Sequence, residues 1–300
     1  MTSTGDLKAA PSTPSCKLCG SETVAFGEKP GSVVKVSYRF SRCKACNFIS
    51  VVNPCLDFSL IYNEDYYRGA GADPLVDYGF ELDQPALTIR QYEWRGLEQV
   101  VRQQVGPLRD LRWLDYGCGN GALVRYLRER NIDAVGFDEG GIVPLAREKG
   151  IPILTASEFE AEAGHFSIIT MIEVIEHVPD PLPLLRTVRR LLKPGGLLFL
   201  TTGNSAPVCD RFVNWGYVRP DIHVSYFDPR NLQLALTKSG FDAHFVGYLR
   251  GWDDIIRFKV LKTLGWRKVG FTERLVPWPI ASPLIDRYAR SSEHPVARAV

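Results

Sequence analysis

The run Trp113-Leu114-Asp115-Tyr116-Gly117-Cys118-Gly119-Asn120-Gly121 constrains this chain more than any other segment. An apolar stretch enters three glycines at alternate positions, and an amphipathic stretch follows with Leu123, Tyr126 and Leu127 on one face. That order predicts a strand, a glycine turn at its carboxyl end, and a helix. Glycine in such a turn permits positive φ and leaves bare main chain that a ligand can approach. The spacing is G-x-G-x-G with an acid two residues before the first glycine. It differs from the G-x-G-x-x-G of dinucleotide folds, whose third glycine serves helix packing near pyrophosphate. Asp138 closes the next apolar run, 134–138, nineteen residues after Gly119, where a carboxylate can accept both hydroxyls of a ribose. The plainer structural reading gives the glycines only a tight turn and Asp138 only a helix cap near Ile142.

Beyond the turn, short apolar runs at 111–115, 132–138, 151–156, 166–171 and 196–202 alternate with amphipathic stretches at 122–130, 143–149 and 182–192. Strands separated by helices must pair in parallel, because each crossover returns the chain to the same end of the sheet. The predicted fold class is therefore α/β, a doubly wound sheet occupying residues 111–250 and finishing with a helix at 229–239 and a strand at 241–249. An antiparallel edge strand is not evident unless the short segment 295–300 supplies one. At 300 residues the chain exceeds one ordinary domain of about 100–200 residues, so additions to the sheet are expected. Residues 1–15, rich in Ser, Thr, Pro and Ala, read as a flexible tail, and 16–52 as a compact unit around paired cysteines. Residues 53–110 read as connector and lid, with an aromatic cluster (Phe58, Tyr62, Tyr66, Tyr67) and a helix over 84–104; residues 251–300 form a C-terminal extension.

The D-x-G-x-G-x-G run resembles motif I of class I S-adenosylmethionine-dependent methyltransferases. Glu173-Val174-Ile175-Glu176-His177-Val178-Pro179-Asp180-Pro181 is similar to the strand-four segment of that superfamily, and Lys193-Pro194-Gly195-Gly196-Leu197 with the strand after it to the next. The likeness covers roughly 112–249. It implies a Rossmann-like methyltransferase sheet with S-adenosylmethionine as cofactor. Asp115 would contact its methionine part, Gly117, Gly119 and Gly121 its backbone cradle, and Asp138 its ribose. Ala156 and Ser157 fall where the family contacts adenine, and Met171 completes the cofactor-binding set.

Cys16-Lys17-Leu18-Cys19-Gly20 and Cys43-Lys44-Ala45-Cys46-Asn47 form C-x2-C-x23-C-x2-C, in which each pair can present two thiolates to one tetrahedral zinc. Gly20 and Asn47 suit the left-handed turn that follows a knuckle's second ligand. Four thiolates leave no open coordination position, which predicts a structural Zn2+ held by Cys16, Cys19, Cys43 and Cys46. A redox dithiol is the rival, though it does not call for two matched pairs. Seven cysteines are an odd number for a disulfide framework, and the remaining Cys55, Cys118 and Cys209 are expected to be small buried side chains. A zinc-ribbon-like unit ahead of a class I core resembles bacterial methyltransferases acting on sugars, glycans and secondary metabolites. The resemblance points to a sugar or glycan precursor as small-molecule acceptor, methylated at a hydroxyl rather than a carbon, with a quinone-type O-methyltransferase as the second reading. A non-catalytic module that binds cofactor or partner is a third.

Ligands of doubly wound sheets collect outside the carboxyl ends of the strands, so the segments after strands four and five should line the acceptor pocket. Glu173, Glu176, His177 and the stretch 215–226 are the candidates there. A hydroxyl acceptor needs a base, and neutral imidazole serves near pH 7, which singles out His177 and His223. Asp221-Ile222-His223-Val224-Ser225-Tyr226-Phe227 resembles an acceptor-face segment of the family; for His177 a backbone hydrogen bond at a helix start is the structural reading. A net charge of +2 gives no reason to expect a nucleic-acid partner. Residues 1–15 lack a basic-then-apolar leader and no run reaches the ~18 apolar residues that cross a bilayer, so the expected compartment is the cytoplasm. Trp252, Trp266, Phe271 and Trp278 among Arg257, Lys259, Lys262, Arg267 and Lys268 would suit a lipid headgroup layer, but packing on the core is the simpler use of the extension.

Overall fold

A computed structural model of the chain describes residues 14–71, 77–246, 251–271, 275–289 and 294–299. Strands β1 (Thr23–Pro30), β2 (Ser37–Cys43) and β3 (Ile49–Val51) form an antiparallel meander behind the cysteine knuckles. Helices α1 (Glu64–Tyr67), α2 (Tyr78–Asp83) and α3 (Arg90–Val105) lead to the central sheet. The sheet begins with β4 (Trp113–Tyr116), α4 (Ala122–Arg128) and β5 (Ala134–Phe137), followed by α5 (Val143–Glu148) and α6 (Ala156–Ala161). Next come β6 (Phe166–Ile172), α7 (Pro181–Leu191) and β7 (Leu192–Thr201). The chain then runs through β8 (Ser225–Tyr226), α8 (Pro229–Lys238), β9 (Phe241–Val246), α9 (Trp252–Thr263), α10 (Trp278–Ala289) and β10 (His294–Ala299).

The central sheet has the order β5-β4-β6-β7-β10-β9. Its first four strands are parallel, as the strand-helix alternation requires, and β10 lies antiparallel to both β7 and β9. The antiparallel strand left open by the sequence is thus supplied by the end of the chain. Side chains alternate across the sheet with the period of two that strands impose. Leu114, Ile169, Met171, Leu198 and Leu200 face α7 and α8, whereas Trp113, Ile168, Leu197 and Phe199 pack with Val100, Val124, Leu127 and Ile255 on the other side. Burying each such side chain contributes on the order of 1.5–3 kcal/mol. The third predicted strand is absent: within 151–156 only Ile153 bridges to Gly136. Thr155 and Glu158 form a reciprocal capping box there, so the polar end of the run starts α6 instead of extending a strand.

The C-terminal extension covers the core through α9, which buries Trp252, Ile255, Ile256, Phe258 and Leu261. Contact with α3 is possible because Gly96 has no side chain; a Cβ there would lie 2.6 Å from Ile255 Cγ1 and 2.7 Å from Gly251 O. Ile280 and Leu284 of α10 remain exposed. No helix among the described residues is long and apolar enough to cross a membrane.

The cysteine unit is joined to the segment that follows β7. The short β8 pairs with β3, with Ile49 opposite Tyr226, completing a second sheet of order β1-β2-β3-β8. Asp221, just before β8, accepts hydrogen bonds from Ser32 N, Ser32 Oγ, Val33 N, Val34 N and Tyr38 Oη, which ties the β1–β2 loop to the same segment. Burial alone would raise the Asp221 carboxyl, but these donors hold it below its ordinary range.

Candidate active site

The glycine turn sits at the carboxyl end of β4. Gly117, Gly119 and Gly121 have φ of 74°, 54° and 70°, the left-handed region that glycine adopts without cost. Asp138 follows β5, and its carboxylate accepts from Gly119 N at 2.8 Å and Gly140 N at 2.6 Å, which fixes it against the turn. Asp115, 6% exposed, accepts from Thr170 Oγ1 at 2.8 Å, and Thr170 Oγ1 in turn accepts from Trp113 Nε1 at 3.0 Å. Burial pushes the Asp115 carboxyl up to about 7; the charges of Asp138 and Glu93 add to the rise, and the Thr170 hydrogen bond opposes it.

A cavity of about 780 Å³ opens in front of this turn and is bordered by Asp115, Gly117, Cys118, Gly119 and Asn120. Its opposite wall comes from α2 and α3. Arg90 pairs there with both Glu81 and Glu93, and Asn120 Nδ2 donates to Glu81 Oε2 and to Tyr78 O, each at 3.1 Å. Tyr66 and Tyr78 line the same wall and form part of an aromatic cluster with Tyr62 and Tyr67.

The far end of the cavity is polar. After β6 the chain bends through Glu173, whose φ of 55° is uncommon for a residue with a side chain. Thr201 Oγ1 donates to Glu173 Oε1 at 3.0 Å, and Thr202 Oγ1 donates to Glu176 Oε2 at 2.8 Å. Tyr217 Oη lies 2.8 Å from Glu173 Oε2 and 2.5 Å from Glu176 Oε1, and it accepts from Gly203 N at 3.0 Å. One phenol proton thus serves two carboxylates. Glu176 has no exposed surface; burial first, and then the Glu173 charge, hold its carboxyl well above the usual range. His223 places Nδ1 at 2.7 Å from the Tyr217 carbonyl, so Nδ1 carries the proton and Nε2 the lone pair. Burial, followed by the nearby His177, pushes the His223 imidazole down to about 3. His177 Nδ1 lies 2.9 Å from Tyr62 Oη, and the rings of His177 and His223 meet edge to face with centroids 4.8 Å apart. Of the residues expected at the acceptor end, Glu173, His177 and His223 border the cavity, whereas Glu176 is fully buried behind it.

The four knuckle cysteines also converge. Their sulfurs are 3.4 Å (Cys19–Cys43) and 3.6 Å (Cys16–Cys46 and Cys19–Cys46) apart, close to the ~3.8 Å edge of a tetrahedral zinc–thiolate site. Gly20 and Asn47 take φ of 79° and 60°, as the knuckle turns require. Ala45 N and Cys46 N both donate to Cys43 Sγ at 3.4 Å, support that a thiolate needs. The donor set fits Zn2+. Of the other cysteines only Cys118 is buried; Cys55, on a loop, is half-buried and Cys209, on the 3-10 helix Ala206–Asn214, is exposed, contrary to the expectation that all three are buried.

Residues 87–244, just over half of the chain, match the family described as methyltransferase domain. The chain belongs to this methyltransferase family. Among curated relatives, the ubiquinone biosynthesis O-methyltransferase of Ruegeria pomeroyi is 42% identical over 130 residues, 37% of this chain and 52% of the relative. That of Histophilus somni is 36% identical over 121 residues, 35% of this chain and 50% of the relative. The chain spans about half the length of the curated relatives it matches. A solved S-adenosylmethionine-dependent methyltransferase from Mesorhizobium loti is 18% identical with a TM-score of 0.46, covering 69% of this chain and 99% of that one.

As a methyltransferase-family cradle, the turn fits the cofactor: its three glycines are left-handed, Gly117 and Gly119 border the cavity, and the carboxylate of Asp138 is fixed beside them. Three further residues named for cofactor contact do not border the cavity. Ala156 and Ser157 are exposed on the first turn of α6, and Met171 is fully buried in the core between the sheet and α7. The Glu81-Arg90-Glu93 wall was not foreseen, since an Arg and a Glu three apart read as an ordinary exposed helix pair.

Proposed function

We propose that this protein transfers a methyl group from S-adenosylmethionine to a hydroxyl oxygen of a small acceptor. The observation that carries the reading is one cavity that holds the glycine turn at one end and Glu173, His177 and His223 at the other. When bound, S-adenosylmethionine supplies an electrophilic methyl whose C–S bond breaks, with its electron pair, as the C–O bond forms. Gly117, Gly119, Gly121 and Asp138 hold the cofactor, and Asp115 meets its methionine end. The acceptor hydroxyl rests against the histidines, where a lone pair on His223 Nε2 faces it at neutral pH. Aligning acceptor and methyl carries most of the rate advantage of such a displacement.

For the acceptor, the relatives' names favour a phenolic ring of the quinone-precursor kind over the sugar suggested by the cysteine unit. Trp215, Ile222, Ile256 and Phe258 line the cavity with apolar surface, which supports a flat, weakly hydrated acceptor. The test is incubation with labelled cofactor and two panels, catechol-type phenols and nucleotide sugars. Label on the phenols supports the reading; label confined to sugars restores the other acceptor, and label on neither removes the proposed activity.

A further inference from the structure

Glu176, His177 and His223 each offer one ligand atom, and these atoms lie within 4.8 Å of one another. Donors on a common ion at about 2.1 Å lie about 3.0–3.4 Å apart in cis or tetrahedral positions and about 4.2 Å apart when trans, so the cluster closes by about 1–2 Å or less, a side-chain adjustment, to hold an ion. Each of the three is oriented by an outer partner, as ligating side chains usually are. Tyr217 O holds Nδ1 of His223, Tyr62 Oη contacts Nδ1 of His177, and Thr202 Oγ1 with Tyr217 Oη grips the Glu176 carboxylate. With Nδ1 committed, His223 presents Nε2 to the cavity it borders, and the residue is only 8% exposed. No Lys or Arg among the described residues forms an ion pair with the fully buried Glu176, and a carboxylate taken out of water without a cation is costly.

We propose that Glu176, His177 and His223 bind a first-row divalent cation, separate from the thiolate site, on which the acceptor hydroxyl is held for methylation. The proposal rests on the methyl-transfer reading for its use, though not for the binding itself. One carboxylate and two imidazoles suit Mn2+, Fe2+, Co2+ or Zn2+ better than Ca2+. Three protein ligands leave positions open, in contrast to the closed set of four cysteines. An acceptor oxygen entering an open position is made more acidic: its O–H bond breaks, the proton leaves to water at the cavity mouth, and the electron pair stays on oxygen facing the methyl. The cation then does the activating, and His223 acts as ligand instead of proton acceptor. No oxidant or reductant is involved.

The probe is Mn2+, because thiolates discriminate against it and the cysteine site will not compete. Titrating with Mn2+ the full chain supplied with a single equivalent of zinc, which the four thiolates take up first, and read by loss of the free-ion electron paramagnetic signal, is expected to give one bound Mn2+ per chain. His223→Ala and Glu176→Gln should each weaken binding at least ten-fold. Tyr62→Phe, which leaves all three ligands in place, should weaken it by about ten-fold or more through loss of His177 orientation, and His165→Ala on the surface should leave it unchanged. Mn2+ uptake no greater than that of a His177→Ala/His223→Ala double variant overturns the proposal. The readout uses neither cofactor nor acceptor. Inactivity with a bound ion therefore counts against the proposed function alone, and full methyl transfer by protein that takes up no Mn2+ leaves the function standing while overturning the cation.

Discussion

Acidification should cost this protein stability through His223 in a calculable way. In the native chain the imidazole is pushed down to about 3, chiefly by burial, whereas an unfolded histidine titrates near 6.5. The folded value lies below the unfolded one, so the neutral ring's stabilisation is fully present above about pH 6.5 and is lost as pH falls toward 3. Between pH 7.5 and 5.5 the unfolded chain takes up about one proton at this position that the native chain does not, a loss of about 1.4 kcal/mol. The site is almost wholly enclosed, so little of this is screened. Substituting His223→Asn keeps a side-chain N–H that can donate to Tyr217 O and removes the titration. Urea unfolding of both proteins at the two pH values, without added divalent metal, measures the effect. The wild-type advantage over the variant should shrink by about 1.4 kcal/mol on acidification. An advantage that stays constant would mean that His223 is charged or solvated in the native protein, and the description of its Nε2 lone pair would fail.

Three further outcomes are expected. Gly119→Ala places a Cβ at φ 54° and 2.8 Å from Tyr78 Cε1, which should cost about 1–2 kcal/mol and weaken S-adenosylmethionine at least ten-fold; unaltered affinity by calorimetry would remove the turn from the cofactor site. Tyr217→Phe strips Glu173 and Glu176 of their shared donor and Gly203 N of its acceptor, with an expected loss of about 3 kcal/mol by chemical denaturation, and a loss below about 0.5 kcal/mol would contradict the buried network. Cys46→Ser should loosen more than the knuckle, because Asn231 Nδ2 donates to Cys46 O, Val51 N donates to Val224 O and Val224 N donates to Glu176 O. Amide exchange should speed at residues 49–51 and 224–226 while 113–116 stay protected, and faster exchange confined to the knuckle would show that the two parts are independent.

What the sequence disclosed was local. The glycine turn, the parallel strands and both knuckles follow from short-range rules: alternate glycines, period-two apolar runs, and a left-handed residue after each second cysteine. The run 151–156 misled because its apolar pattern ends in Thr155, whose capping box with Glu158 favours a helix. The strand His294–Ala299 was left open because Pro295 and Arg298 break the apolar alternation, although it lies between two strands and pairs with both. Tyr217 lies within a stretch that was singled out, yet its partners Glu173 and Glu176 are 44 and 41 residues away, and no local pattern marks such a contact. The joining of the cysteine unit to the acceptor end depends on the two-residue strand β8, paired with residues far earlier in the chain.

Calorimetric titration of the purified chain with S-adenosylmethionine tests the central claim most directly. One site per chain is expected, displaced by S-adenosylhomocysteine, indifferent to NAD, and weakened at least ten-fold by Asp138→Ala. Absence of S-adenosylmethionine binding, or binding of NAD in its place, would contradict the account of the turn from Asp115 to Gly121.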